Sequence, residues 1–278
     1  MAAAFAPLSR PAEIARANDP DRFLCALFAP AERREPLFTL IAYNHELARA
    51  REAGRHPLAA LMRLQWWRET IEAVAEGRPA RRHEVAGPLH AAIAAGLLDP
   101  AELSAMADAR EVEAEEGGIP TRSAFDAYLR GTAGTFAVAA GRLLGAPSTL
   151  LPGLQEAGAL YGLAGVLRTV PALARQGRCL LPQDALAEQG LTPEAVVAAP
   201  GAAPARSAVA AMATEGRMRV GGVASGLRAL PRAAVAAALP LVLARRDLAR
   251  LAAGREIASA RGVGDRLAVV VAGLRGQV

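Results

Sequence analysis

The sequence predicts an all-α protein folded as one domain. Apolar residues recur at helical spacing along most of its length, and no run alternates apolar and polar residues as a half-buried strand does. Alanine, the strongest helix former, supplies much of the 53% hydrophobic content, while aromatic residues make up only 4%. That balance favours closely packed helices over sheets. At 278 residues the chain can bury a sizeable core, and no repeat or shift in composition marks a second domain.

The elements follow in order. Met1 to Pro20 reads as a loose leader followed by a short helix, the leader covering residues 1–18. Asn18-Asp19-Pro20-Asp21 is a helix-start signal, and Asp21 to Phe28 forms one short helix. The next starts at Pro30 to Arg34, carries Leu37, Leu40, Ile41 and Leu47 on its apolar side, and runs to about Glu52. Leu61 to Gly77 is a helix anchored by Trp66 and Trp67, which bury large area and need one partner each for the indole N–H. Arg78 to His83 is a polar loop and Pro88 to Gly96 a short alanine-rich helix. Asp99 caps a helix that runs to the acidic Glu111 to Glu116, a charge run that reads as a solvated face. Thr121 or Ser123 caps the next. There Gly131, Gly134 and Gly141 imply close helix contact, since each costs about 1 kcal/mol relative to alanine. Gly158 to Gly190 reads as a buried helix, a basic turn and an L-P-x-D loop opening another helix. Pro193 to Ser207 is expected to be a mobile loop around a helical turn. Ser207 to Leu230 is a helix interrupted at Gly221-Gly222, Pro231 to Leu251 a helix kinked at Pro240, and Asp265 to Leu274 the last.

Several function classes are excluded. All 32 basic residues are arginine and the net charge is +5, but the arginines are interleaved with Asp and Glu. No basic arm of the kind used by nucleic-acid binders exists. Cys25 and Cys179 lie far apart and form no zinc or disulfide pattern, which makes a reducing cytoplasm the default. His45-Glu46 does not complete H-E-x-x-H, because the fifth residue is Arg49. The start lacks a secretory pattern, and no apolar run is expected to approach the roughly 20 residues that span a bilayer, the closest, Ala233 to Ala244, being short and containing Pro240. The chain is therefore expected to be soluble or peripheral on the inner membrane. Pro231 to Leu251, with L-P-L-V-L beside Arg245, Arg246 and Arg250, fits either an interfacial helix or a core helix.

Four stretches together resemble the squalene/phytoene synthase family. Gly158 to Gly190 matches, without a gap, a family signature of the form A-L-Q-L-T-N-I-L-R-D-V-x-E-D followed by R-G-R-x-Y-L-P-x-D. Arg168, Gly177, Arg178, Leu181, Pro182, Gln183, Asp184 and Gly190 all fall into place. Asp21 to Asn44 resembles the family's opening, R-L-Q-W-W-R-E-T-I its third helix, and Thr121 to Phe136 its Y-x-x-x-x-A-G helix. The resemblance implies the isoprenoid synthase fold, a helical bundle around a central cavity. It implies that Tyr43, Tyr128, Tyr161 and Gly162 line that cavity and that Arg168 and Arg178 lie at its anion-binding end.

The family's magnesium-binding positions are not matched. On one wall the resemblance places Ala48, Arg49 and Glu52 where D-D-x-x-D should stand. On the other it places Gly165 for an asparagine, with Thr169 and Leu173 for two aspartates. Mg²⁺ needs carboxylate and water oxygens in near-octahedral geometry, so neither a bound Mg²⁺ nor any catalytic residue is expected. Arg49 is expected to meet phosphate directly, as arginine does bidentately. Glu52 is expected to pair with Arg49 or Arg168 and close the mouth. The run A-Y-N-H-E-L-A resembles a non-enzymatic branch of the family, related to a mitochondrial complex I assembly factor. Three readings stand at this point. One is a catalytically silent protein that binds an isoprenoid or other lipid, or a protein partner at the membrane. Another is an active prenyl-diphosphate transferase with atypical motifs, acting on farnesyl or geranylgeranyl diphosphate. The third is a helical scaffold whose cavity has collapsed.

Overall fold

The computed structural model describes residues 7–53, 57–115, 117–255, 257 and 261–278, with the side chains of residues 52 and 53 excepted. Its regular structure is entirely helical and forms one bundle. The first helix, α1, spans Arg10–Asn18; it is the short helix expected before Pro20, and it takes up residues 10–18 of the stretch expected as leader. Ser9 accepts a hydrogen bond from the Ala12 backbone N–H at 3.2 Å, Pro11 occupies the first turn, and Ala12 and Ala15 are buried. Two alanines sufficed because they pack directly on α3, which spans Ala31–Ala48. Between them lies α2, Pro20–Ala26, capped by Asp19. A short 3₁₀ turn, Ala50–Ala53, ends the α3 segment.

The next helices are α4, Pro57–Ala75; α5, Ala86–Ala94; and α6, Pro100–Asp108. Trp67 is fully buried on α4, edge-on to Tyr43, as an anchor is expected to be, but against expectation its indole N–H finds no hydrogen-bond partner among the described residues. Thr121, not Ser123, caps α7, Arg122–Leu129. A π turn over Arg130–Gly134 then joins α7 to α8, Thr135–Leu143. Both face the longest helix, α9, Leu151–Arg175. The expected close contacts are present: a Cβ on Gly134 would lie 2.9 Å from the Gln155 carbonyl oxygen, and one on Gly158 would collide with that of Ala133.

The helix α9 is central, packed against α8, α12 and α14. With the turn before it, Ser148–Arg175 is long and apolar enough to cross a membrane by length and composition. No uninterrupted run flags this, because Gln155, Glu156 and Arg168 break the sequence; over half of that apolar window is buried inside the bundle. The chain continues through α10, Gln183–Ala187, and α11, Pro193–Ala198, into α12, Ala203–Gly226. Two expectations are corrected here. Pro193 to Ser207 is mostly helical, and α12 passes Gly221-Gly222 unbroken. Both glycines have open space beside them, so nothing forces a break. Pro240 does divide its segment, into α13, Val235–Ala238, and α14, Pro240–Ala252. Leu241, Val242, Leu243, Ala244 and Leu248 of α14 are buried, so it is a core helix and not an interfacial one. The last helix, α15, spans Val263–Arg275 and packs on α14 and α2.

Candidate functional site

A cavity of about 880 Å³ opens between α2, the end of α3, the α7–α8 segment and α9. Its apolar lining comes from Leu129, Ala133, Gly162, Val166, Leu173 and Leu180. Among the described residues its charged lining is unbalanced, with seven arginines against three carboxylates.

The arginines gather in two clusters. In the first, Arg261 donates to Asp21 at 2.9 Å and to Asp247 at 2.5 Å. Arg168 lies 3.6 Å from Asp247 and 3.9 Å from Asp21, and the Tyr161 hydroxyl reaches Asp21 at 3.3 Å. Beside them Arg22 donates to Asp19 at 2.9 Å. Its guanidinium carbon stands 4.1 Å from the Phe136 ring centre and 4.8 Å from that of Tyr161. Aromatic faces attract such a cation electrostatically. The Arg22 Nε is buried and has no hydrogen-bond partner among the described residues.

The second cluster is built on Glu113, in the short turn Glu111–Ala114 after α6. It accepts from Arg110 at 2.5 Å and from the Tyr128 hydroxyl at 2.7 Å. Arg178 lies 3.7 Å from its other oxygen, and Arg110 reaches Asn44 of α3 at 3.5 Å. Burial, reinforced by the charge of Glu113, pushes the Tyr128 hydroxyl above the ordinary range. Burial does the same to Tyr161 beside Asp19 and Asp21. Both phenols are therefore neutral hydrogen-bond donors at any ordinary pH.

Local sequence explains how two of these arginines reach the cavity. After α9, Gly177 takes a left-handed φ of +72°. The N–H of Arg178 then bonds back to the Leu173 carbonyl at 3.0 Å and that of Gly177 to Ala174 at 2.9 Å. This is the glycine-dependent Schellman helix end, and it folds Arg178 back towards the site. The L-P-x-D turn that follows is structural: Asp184 accepts from the Arg122 backbone N–H at 2.9 Å, pinning the start of α7. About two turns before the end of α9, Arg168 projects from the same face as Gly165 and Thr169.

The structure brings most of the sequence-predicted residues together. Ala48, Gly165, Thr169, Leu173, Tyr128, Tyr161, Gly162, Arg168 and Arg178 all line the cavity. Two do not. Tyr43 is buried in the core, where its hydroxyl donates to the Leu103 carbonyl at 2.8 Å. It sits one helical step off the face carrying Asn44 and Ala48. Arg49 follows the end of α3 and turns outward, about half exposed and 3.7 Å from Glu46. The expected Glu52 pairing lies outside the described side chains. Ala48, Gly165 and Leu173 carry no side-chain oxygen. Thr169 donates its hydroxyl back to the Gly165 carbonyl at 2.9 Å. The described side chains at these positions thus do not fit a Mg²⁺ cluster, and among the described residues no three metal-ligating side chains converge.

Against this geometry, the family model for squalene/phytoene synthase matches residues 15–267. The chain belongs to the squalene/phytoene synthase family. The fold is similar to a ligand-bound dehydrosqualene synthase at a TM-score of 0.78, 13% identity and 95% and 94% coverage of the two chains. It is also similar to a squalene synthase from Alicyclobacillus acidocaldarius, with a TM-score of 0.74, 15% identity and coverage of 89% and 94%. Among curated relatives, the chain is 26% identical to NADH dehydrogenase (ubiquinone) complex I, assembly factor 6, of Homo sapiens and of Bos taurus, over 183 residues. That match covers 66% of this chain and 55% of each relative, so it spans about half their length. The expected kinship with the assembly-factor branch is thereby found.

Sequence reasoning missed Asp21, Arg22, Arg110, Glu113, Asp247 and Arg261. Glu113 was masked by its neighbours: the acidic run reads as a solvated face, yet Glu113 turns inward while Glu111 pairs with Arg68 outside. Asp21 and Arg261 stand 240 residues apart, and no local signal joins them. Asp21 and Arg22 were within reach, because a helix as short as α2, capped by Asp19, leaves few directions for its first charged side chains.

Proposed function

We propose that this protein is a catalytically silent member of its family. In this reading the cavity binds an isoprenoid or other lipid with an anionic head, and the protein acts with a protein partner at a membrane, as an assembly factor does. The observation that carries the reading is the charge of the cavity: seven arginines and three carboxylates surround an apolar floor. Guanidinium groups bind phosphate as bidentate donors without a metal, and the apolar lining suits a hydrocarbon chain. Ionising an allylic diphosphate needs charge stabilisation at the leaving group, for which Mg²⁺ serves. The described side chains on both walls are poorly suited to hold that ion. The assembly role rests on the name carried by the curated relatives. A cytoplasmic protein attached peripherally to the inner membrane fits both parts.

Purified protein incubated with farnesyl or geranylgeranyl diphosphate and Mg²⁺ is expected to release no diphosphate. Organic extraction of the same preparation, read by mass spectrometry, is expected to yield a co-purifying amphiphile. A condensed prenyl product would overturn the silent reading in favour of a transferase with atypical motifs. A protein with no extractable lipid and no affinity for a prenyl thiodiphosphate would remove the cavity from the account and leave only the partner.

A further inference from the structure

The last helix, α15, has two apolar faces. Its inner face is accounted for: Asp265, Val269 and Gly273 are buried. Gly273 lies against the Phe28 ring, so closely that a Cβ would stand 2.5 Å from it. Asp265 is clamped by Arg246 at 2.6 Å and by Arg250 at 2.7 Å. Its outer face has no such explanation. Val263 is 83% exposed, Leu267 58%, Val271 36% and Leu274 64%. Steps of four, four and three residues put all four on one side of the helix, opposite Asp265 and Val269. Exposed Arg266 and Arg275 flank this stripe, one along each border at about 100° per residue.

Two further observations say what covers it. The first is charge. Residues 228–278 hold nine arginines and three acids, a formal charge of +6, whereas residues 1–227 sum to −1. The net positive charge of the protein is thus concentrated in the segment that carries the stripe. Two of those three acids, Asp247 and Asp265, are buried in ion pairs with arginine, so neither presents negative charge at the surface. The second is position. Arg266 lines the cavity, as do Leu24 and Leu27 from the α2 segment on which α15 packs, and Leu27 is itself 42% exposed. The stripe therefore borders the mouth.

We propose that the outer face of α15 is a membrane-docking surface, which seats the protein on an anionic bilayer with the mouth of its cavity beside the interface. The inference deepens the lipid-binding reading above and rests on it only for the purpose of the docking. Val263, Leu267, Val271 and Leu274 enter the boundary between headgroups and acyl chains, as the apolar face of an interfacial helix does. Arg266 and Arg275 reach lipid phosphates from either side, and the surrounding arginines add long-range attraction to the negative surface. An amphiphile leaving the leaflet on which the protein docks would then pass from bilayer to cavity without crossing water.

The test is flotation of the full-length protein with vesicles of phosphatidylcholine, with and without phosphatidylglycerol. Wild type is expected to float with the anionic vesicles and to stay behind with the neutral ones. L267E/L274E is expected to lower that partitioning at least about tenfold, with unchanged helical circular dichroism and melting temperature. M62E/M218E, which alters exposed apolar residues on α4 and α12, is expected to float as wild type does. The proposal falls if wild type fails to float, or if L267E/L274E floats equally well. It also falls if light scattering finds a wild-type dimer that L267E/L274E splits, since the stripe would then cover a second copy. Prenyl thiodiphosphate binding in vesicle-free solution separates the two readings: L267E/L274E should retain it, and its absence from wild type refutes the cavity while leaving the docking result to stand.

Discussion

Glu113 shows how much one side chain decides here. It is the single acid in its cluster, shared between Arg110, Arg178 and the Tyr128 hydroxyl. Arg110 is largely buried with it, so removing the carboxylate leaves a desolvated guanidinium with only the long contact to Asn44. Breaking a buried pair on one side costs about 3–5 kcal/mol. Glu113→Ala is expected to lose about that much in urea unfolding, and Glu113→Gln less, because the amide still accepts from Tyr128. A Glu113→Ala protein as stable as wild type would mean that water or Asn44 already satisfies Arg110. The sequence hid this residue because charge runs are usually solvated. Direction was what mattered, and only the tight turn after α6 supplies it. Arg168 and Arg178 were legible through the resemblance to the family, and the helix face of α9 and its glycine-marked end account for where they point.

At the scale of elements, two joints carry the architecture. The first is the crossing of α9 with the π turn. Gly158 leaves no room for a Cβ beside the Ala133 carbonyl, and backbone cannot give way as a flexible side chain can. Alanine gains about 1 kcal/mol in helix propensity over glycine, but overpacking costs about 1–3 kcal/mol. Gly158→Ala is therefore expected to lower the melting temperature, and a rise would show that the two helices separate freely. The second joint is the clamp of α15 on α14. Hydrogen bonds from Arg250, with Arg246 assisting and burial opposing, pull the Asp265 carboxyl below the ordinary aspartate range, to about 2. A depressed folded-state pKa stabilises above the unfolded value and is lost as pH falls through the folded one. At 1.36 kcal/mol per unit, the clamp contributes about 2 kcal/mol near neutral pH, fading between about pH 4 and pH 2. Asp265→Asn should cost about that at neutral pH and almost nothing at the acid end. An equal cost at both would assign the effect to packing. The helices themselves were mostly legible in the sequence, through their caps and periodicity. The unbroken α12 was not, because glycines in open space look the same in a sequence as glycines that break a helix.

The whole molecule joins these parts through charge. Both arginine clusters line one opening, and the basic segment 228–278 reaches it through Arg261 and Arg266, while the acids that would read as metal ligands are absent from the described walls. This gives magnesium an unusual sign. Where carboxylates hold the ion, Mg²⁺ bridges ligand and protein and strengthens binding. Under the proposed reading the ligand's own negative charge is the attraction, and Mg²⁺ bound to a diphosphate would remove part of it before the ligand arrives. Coulomb attraction scales with the net charge of the ligand, so a diphosphate partly neutralised by Mg²⁺ would be held less strongly by Arg168 and Arg178. A prenyl thiodiphosphate is therefore expected to raise the melting temperature more in EDTA than in excess Mg²⁺, and to do so less as salt is added. Replacing Thr169 and Leu173 by aspartate puts two carboxylates on the cavity face of α9, one turn apart. In Thr169→Asp/Leu173→Asp the order should reverse, with Mg²⁺ restoring affinity that EDTA removes. A wild-type protein that binds the diphosphate only with Mg²⁺ would show that the ion finds ligands here after all, and that the arginines serve the fold alone.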